Sequence, residues 1–341
     1  MAIIKKKKIP YKVNPVLEGF LKKNNRYSEI PIHYEDLLRH ENAIPLYDND
    51  GEDTLWQTVY FGQNDMARIY EDLKNIYAIL KASGDVTVMD HLYIDRVDLC
   101  TYGNTQPFRV RVVNRINDNF DYFYVKNADA SRVYGLELED ILSPNRVSYL
   151  VHGQTLIEEH ISGVPGDQFI RDYLKDPMLN KIRLGKEFVK FNERCFARLL
   201  GDMHSSNFVV VITPDFDEIS YRIRAIDFDQ QCFEGRRSIY QPQYFKQNNP
   251  LIQVGIEAMT PTTVNQYQKE ERSLMAHRIR STMQKTSDLI HTMKQDVISP
   301  RENVLNLRQD LATFYRKDAF LRCENMGELL EASLRRLLVR N

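Results

Sequence analysis

Two short motifs hold polar side chains that could bind a metal ion and a phosphate group. The first, GDMHSSN, places Asp202 and Asn207 five positions apart, between an amphipathic helical pattern and an apolar stretch. The second, AIDFDQ, ends the next apolar stretch and holds Asp227 and Asp229. If the two stretches pair as a hairpin, Asn207 and Asp227 meet at the same end of it.

The chemistry of these residue types favours phosphoryl transfer. An amide oxygen and a carboxylate suit Mg²⁺, which keeps several waters and adds phosphate oxygens. A further carboxylate, Asp202, can orient or deprotonate an attacking hydroxyl group. Asp229 has two interpretations, as a second metal contact or as a structural partner of the loop. Positioning and charge neutralisation of this kind are what phosphoryl transfer requires.

The order GDMHSSN and then IDFD resembles the catalytic loop and metal-binding segment of the protein-kinase-like superfamily. Within it, the aminoglycoside-phosphotransferase and choline-kinase branch is the most similar. The resemblance implies that Asp202 is the catalytic base and that Asn207 and Asp227 bind the metal. His204 matches the second histidine of the branch pattern, whereas Leu200 stands where the first histidine usually lies.

Upstream segments resemble the nucleotide-binding part of the same superfamily. Lys126 ends the pattern FYVK and is similar to the lysine that contacts the α- and β-phosphates. Glu137 or Glu139, on the predicted helix that follows, is its implied ion-pair partner.

A predicted hinge and one glycine complete the implied ATP site. LIEEHISGVPGD is similar to the hinge between lobes, where Glu158, Glu159 and His160 would offer backbone groups to an adenine edge. Gly103 stands where a glycine-rich phosphate loop is expected, although a full loop of that type is missing from the sequence.

The periodicity of the chain predicts the elements that position these residues. Residues 64–83 and 181–200 have helical apolar stripes. Alternating patterns predict three antiparallel strands, which are followed by a helix and a hairpin. Their approximate ranges are 91–102, 107–116 and 120–127 for the strands, 129–142 for the helix and 146–161 for the hairpin. Two strands flank Asp215–Ser220, and helices are predicted at 266–296, 300–314 and 325–340.

These elements indicate an α+β fold with two lobes, an antiparallel β-sheet lobe and a larger, mainly helical lobe. We divide the chain into an N-terminal extension (1–90), a β-rich nucleotide-binding lobe (91–161) and a helical lobe with the catalytic loop (162–341).

Composition narrows the class of protein. The 341 residues include 46 Lys and Arg against 47 Asp and Glu, which argues against a protein that coats nucleic acid. Four widely spaced cysteines favour neither a disulfide framework nor a zinc site and fit a reducing cytoplasm. No apolar run is long enough to span a membrane.

Together the residues and the resemblance predict a kinase-like enzyme that uses ATP and Mg²⁺ to phosphorylate a hydroxyl group on a small molecule or a protein. Two alternatives stay open: transfer of the nucleotidyl (AMP) group on the same fold, or a catalytically silent binding protein.

Overall fold

The structure is a computed structural model that describes residues 8–48, 50–82, 84–85, 89–215 and 218–339. Its strands are β1 (Asn42–Tyr47), β2 (Asp53–Tyr60), β3 (Leu92–Cys100), β4 (Phe108–Asn114), β5 (Phe120–Asn127), β6 (Tyr149–His152), β7 (Thr155–Glu159), β8 (Val164–Pro165), β9 (Phe208–Asp215) and β10 (Glu218–Ala225). Its helices are α1 (Pro15–Lys23), α2 (Tyr34–Leu37), α3 (Gln63–Ala82), α4 (Ala130–Leu142), α5 (Gly166–Asp172), α6 (Lys181–Arg198), α7 (Asn249–Ala258), α8 (Pro261–Ser281), α9 (Met283–Lys294), α10 (Arg301–Tyr315) and α11 (Met326–Leu338). The predicted α+β class with an antiparallel sheet and many helices is confirmed.

The chain folds into two compact units, which interleave along the sequence. The first contains residues 1–130 and 147–160, and the second contains residues 131–146 and 161–341. None of the helices in the described ranges is long and apolar enough to cross a membrane.

A seven-stranded antiparallel sheet forms the first unit, in the order β1-β2-β3-β4-β5-β7-β6. The predicted meander of β3, β4 and β5 is present, because alternating Val, Ile, Tyr and Phe side chains suit a half-buried sheet face. Helix α3 covers one face and buries Ile69, Leu73 and Ile76 against a core that includes Val97 and Phe123.

The described residues of the predicted N-terminal extension form regular elements of the first unit. They contribute β1, β2 and α3 to the first unit, and β2 pairs with β3 from Trp56 to Val59. Strand β1 lies at the edge of the sheet, is mostly exposed and contains Pro45, so its sequence lacks the apolar alternation that marks a strand.

The second unit joins eight of the helices to a three-stranded sheet in the order β10-β9-β8. Strands β9 and β10 form the predicted hairpin, with Phe208 opposite Ala225, although residues 216–217 of its turn lie outside the described residues. Helix α6 packs on α7, α8 and β10. It ends at Arg198, and the next residue, Leu199, has a left-handed φ of 57°. The motif GDMHSSN lies between the end of α6 and the start of this hairpin, and the motif AIDFDQ begins at its last residue.

One predicted long helix is divided in the structure. The stretch predicted as 266–296 forms α8 and α9, which meet at Thr282. The Thr282 hydroxyl donates to the Arg278 carbonyl oxygen at 2.9 Å, and its backbone has φ −120°. Threonine hydroxyls that bond to the preceding turn compete with the helix ladder and bend it.

Helix α4 belongs to the second unit from Ser131 onward, although it lies between strands of the first unit in sequence. The Tyr134 hydroxyl donates to Asp296 at 2.9 Å, and Lys285 lies 2.8 Å from both Glu137 and Asp140. Gly135 lets the helix approach Phe228 closely, because a Cβ there would lie only 2.8 Å from the Phe228 Cβ. The helix is therefore fixed against the segment that carries Asp227.

Candidate active site

The first part of the site is the loop from Gly201 to Asn207, here called the Asp202 loop. Asp202 has a left-handed φ of 61°, and its backbone N–H donates to the Ile239 carbonyl oxygen at 3.0 Å. Its carbonyl oxygen accepts from the His204 N–H at 2.9 Å and from the Asn207 Nδ2 at 2.8 Å. A non-glycine residue in this conformation is held by its surroundings, and such residues cluster at functional sites.

Asn207 links the loop to the second motif. Its backbone carbonyl oxygen accepts a hydrogen bond from the Ile226 N–H at 3.0 Å, which places it beside Asp227. Because the Asn207 Nδ2 donates to Asp202, the amide oxygen is the atom of this side chain suited to a cation.

The second part of the site is the segment from Ile226 to Gln231, here called the Asp227 segment. The Asp227 Oδ1 accepts from the Asp229 N–H at 3.0 Å, and the Asp227 side chain is about one-third exposed. Asp229 is more deeply buried, with 8% of its side chain exposed. The same Asp227 Oδ1 lies 3.0 Å from the Arg132 Nη1, and the Asp229 Oδ1 lies 2.9 Å from that nitrogen.

The carboxyl group of Asp202 is electrostatically unusual. Burial, together with repulsion from Asp227 and Glu234, raises its pKa from the ordinary 3.8 to about 7. The folded chain therefore places Asp227 within electrostatic range of the Asp202 carboxyl group, although the two residues are far apart in sequence. A cation between them would lower the free energy of their charged forms.

We expect Asp202→Asn to stabilise the fold above neutral pH. A carboxyl whose folded pKa is raised binds its proton more tightly in the folded state, so the stability of the parent falls as pH rises from 3.8 towards about 7. Asparagine removes this penalty, which amounts to about 2–4 kcal/mol in the free energy of unfolding above neutrality. Urea denaturation of both proteins over a pH series measures the difference. A gap that does not grow with pH would contradict the raised pKa.

His204 supports the Asp202 loop. Its Nδ1 accepts from the Ser206 N–H at 3.3 Å at the start of a 3₁₀ turn, and its Nε2 lies 4.0 Å from the Asp202 Oδ1. Burial lowers the pKa of His204, against an opposing effect of Asp167. An uncharged imidazole that accepts this hydrogen bond is suited to support the conformation of the loop.

Within the first unit, Lys126 lies on β5 and is buried, and its Nζ donates to the Glu158 Oε2 at 2.8 Å. Strand β7 carries Glu158 and pairs directly with β5, with Lys126 opposite Leu156. The two predicted helix glutamates lie in the second unit, where Glu139 pairs with Arg198 and Glu137 with Lys285. That either of them also serves Lys126 stays a prediction.

The predicted hinge residues are built into the seven-stranded sheet. The Glu159 N–H donates to the Ser148 carbonyl oxygen at 2.9 Å, and the His160 N–H donates to the Tyr122 carbonyl oxygen at 3.2 Å. These two N–H groups therefore already have acceptors within the protein, and contact of the hinge backbone with adenine stays a prediction. The Glu159 side chain lies 3.0 Å from Lys81 of α3.

Gly103 lies in the turn between β3 and β4. Its carbonyl oxygen accepts from the Gln106 N–H at 3.2 Å, and a Cβ at this position would lie 3.1 Å from the Pro107 ring. A larger residue would press on that ring, so the glycine suits the turn itself.

A metal ion at this site would need ligands from outside the protein. Among the described residues, no group of three or more His, Cys, Asp or Glu side chains is arranged to hold a metal. Asn207 and Asp227 would supply one amide oxygen and one carboxylate, and such a donor set fits Mg²⁺, which usually binds one or two protein groups together with phosphate oxygens and water.

Arg132 is the residue that the sequence analysis missed. It lies on α4 and is buried, and it donates to Asp227, Asp229 and the Ile226 carbonyl oxygen. No local motif marks it, because its partners are more than ninety positions away in sequence.

Comparison with known proteins gives little further information. No protein-family model and no curated protein matches the sequence. Solved structures do match, among them one titled "Titin kinase and its flanking domains", with 14% identity and a TM-score of 0.25. The match covers 72% of this chain and 54% of that structure, so this chain spans about half of the length of the matched protein. A likeness of this size assigns neither a fold nor an activity.

Proposed function

We propose that this protein is a kinase-like phosphotransferase that uses ATP and Mg²⁺ and acts on a hydroxyl group of a small molecule or protein. The observation that carries the proposal is the junction of the Asp202 loop and the Asp227 segment. There the Asn207 Nδ2 donates to the Asp202 carbonyl oxygen, and the Asn207 carbonyl oxygen accepts from the Ile226 N–H, next to Asp227 in the chain. The order of the motifs in the sequence also supports the proposal. The strand that carries Lys126, the following helix, the predicted hinge, the Asp202 loop and the Asp227 segment follow one another in the order that the family resemblance implies.

Each residue has a distinct task in the proposed reaction. Asn207 and Asp227 would hold Mg²⁺, which neutralises charge on the phosphate oxygens when it is bound. Asp202 would accept the proton of the attacking hydroxyl group, a role that a carboxylate beside the metal site can perform. Lys126 is assigned by resemblance to the α- and β-phosphates, with Glu158 orienting its ammonium group.

Binding of ATP tests the proposal without knowledge of the acceptor. We expect ATP to raise the melting temperature of the full chain only when Mg²⁺ is present. At about one hundred times the Kd, a ligand adds about 2.7 kcal/mol to the free energy of unfolding. Asp227→Asn should lose the Mg²⁺-dependent part of this stabilisation, because it removes the negatively charged ligand.

Asp318→Asn is the matched control, because Asp318 is an exposed carboxylate of the same unit. It should respond to Mg²⁺ and ATP as the parent does. A parent protein that ATP stabilises equally with and without Mg²⁺ would contradict the metal assignment. A parent that shows no stabilisation under either condition would contradict the proposed function as a whole.

A further inference from the structure

Arg132 introduces a fixed positive charge between two carboxylates of the proposed metal site. Its Nη1 lies 3.0 Å from the Asp227 Oδ1 and 2.9 Å from the Asp229 Oδ1. A guanidinium group keeps its charge at every pH a protein tolerates. It therefore offsets one negative charge of this pair of aspartates.

A metal ion and the guanidinium group would compete for the Asp227 Oδ1. Mg²⁺ binds oxygen at about 2.0–2.1 Å and demands a near-octahedral shell of ligands. The Asp227 Oδ1 already accepts from the Arg132 Nη1 and from the Asp229 N–H, so an ion that bridged the two Oδ1 atoms would displace one of these hydrogen bonds. Asp229 thus has a cationic partner without any metal.

The arginine is fixed in place by several independent contacts. Its side chain is only 4% exposed, and its Nη2 donates to the Ile226 carbonyl oxygen at 3.1 Å. The centre of the guanidinium group lies 5.8 Å from the centre of the Phe228 ring. Helix α4 is in turn fixed by Gly135 against Phe228 and by Tyr134 at Asp296. Displacement of Arg132 by a metal would break a buried network rather than move a surface side chain.

We propose that Arg132 occupies the position of a second metal ion, so that the site binds its nucleotide with one divalent cation, and Asp229 serves as an anchor for the arginine. This inference rests on the proposed function, because it assumes that nucleotide and Mg²⁺ bind here. It assigns Arg132 as a positioning residue, which holds the Asp227 carboxylate in one orientation through its Oδ1.

The test counts bound Mn²⁺, a paramagnetic substitute for Mg²⁺, by electron paramagnetic resonance. The full chain is titrated with Mn²⁺ while saturated with an ATP analogue whose β,γ-bridging oxygen is replaced by an imido group. One Mn²⁺ per chain supports the inference. Two Mn²⁺ per parent chain would overturn it and leave the proposed function intact, whereas none would overturn the proposed function and the inference with it.

Two variants test whether Arg132 determines the number of bound Mn²⁺ ions. Arg132→Met removes the charge and should bind a second Mn²⁺, whereas Arg132→Lys keeps a charge and should bind one. A methionine variant that still binds only one Mn²⁺ would show that the arginine is not what fills the second position. If the methionine variant does not fold, the count on the parent chain still decides between one ion and two.

Discussion

Replacing Asp202 by asparagine is expected to lower the rate of phosphate transfer by about 10²–10⁴-fold, which is the usual contribution of a positioned general base. Asparagine keeps the size of the side chain but cannot accept the proton of the hydroxyl group. Binding of Mg²⁺ and ATP should be largely retained, because the Asn207 Nδ2 bonds to the backbone carbonyl of Asp202 and not to its carboxylate. Transfer of label from γ-labelled ATP to acceptors in a cell extract gives the rate.

The same assay needs a control for general damage to the protein. Asp318→Asn should transfer label at the parental rate. Because Asp202→Asn is also expected to be the more stable protein at neutral pH, loss of activity through unfolding can be separated from loss of the base. An Asp202→Asn protein that transfers phosphate within a factor of two or so of the parent would exclude Asp202 as the base.

Breaking the buried ion pair between Arg198 and Glu139 is expected to cost about 3–5 kcal/mol in the free energy of unfolding, because one charge is left buried without its partner. The two side chains are 2% and 5% exposed, and the pair joins the end of α6 to α4. Although burial opposes it, the guanidinium of Arg198 lowers the pKa of Glu139 below its ordinary value. Chemical denaturation of Arg198→Met measures the loss.

Two further variants distinguish a buried charge from lost packing. Replacing both partners, in Arg198→Met with Glu139→Met, should recover much of the lost stability, because no unpaired charge remains. Arg335→Met removes an exposed pair with Glu331 and should change stability by less than about 1 kcal/mol. A double variant as unstable as Arg198→Met alone would show that packing around the arginine, and not charge, accounts for the loss.

Local patterns in the sequence were sufficient to predict most of the individual helices and strands. The meander of β3, β4 and β5, helix α3 and the β9–β10 hairpin have strong apolar periodicity, and each lies within a few residues of its predicted range. Strands β1 and β2 escaped prediction because their exposed residues and Pro45 carry no alternating signal. Their place in the sheet depends on pairing with β3, a tertiary contact that no local pattern encodes.

The same limit applies to the candidate site. Asp202, Asn207 and Asp227 could be grouped from sequence because a hairpin with a short turn brings its two ends together. Arg132 could not be grouped with them, because an arginine on a helix most often faces solvent and its partners lie far along the chain. The element against which α4 packs determines the partners of Arg132, Glu137 and Glu139. Helical periodicity predicts which face of α4 is buried, but it does not predict which element covers that face.

The interleaving of the two units has a consequence for synthesis on the ribosome. The chain enters the second unit at Ser131, returns to the first at Val147 and leaves it again after His160. Helix α4 is therefore made long before Arg198, Asp229 and Asp296, the residues that pair with its buried side chains. At about 5–20 residues per second, the nascent helix waits on the order of ten seconds for these partners. A truncated chain that ends before Arg198 would therefore lack all three of these partners for the buried side chains of α4.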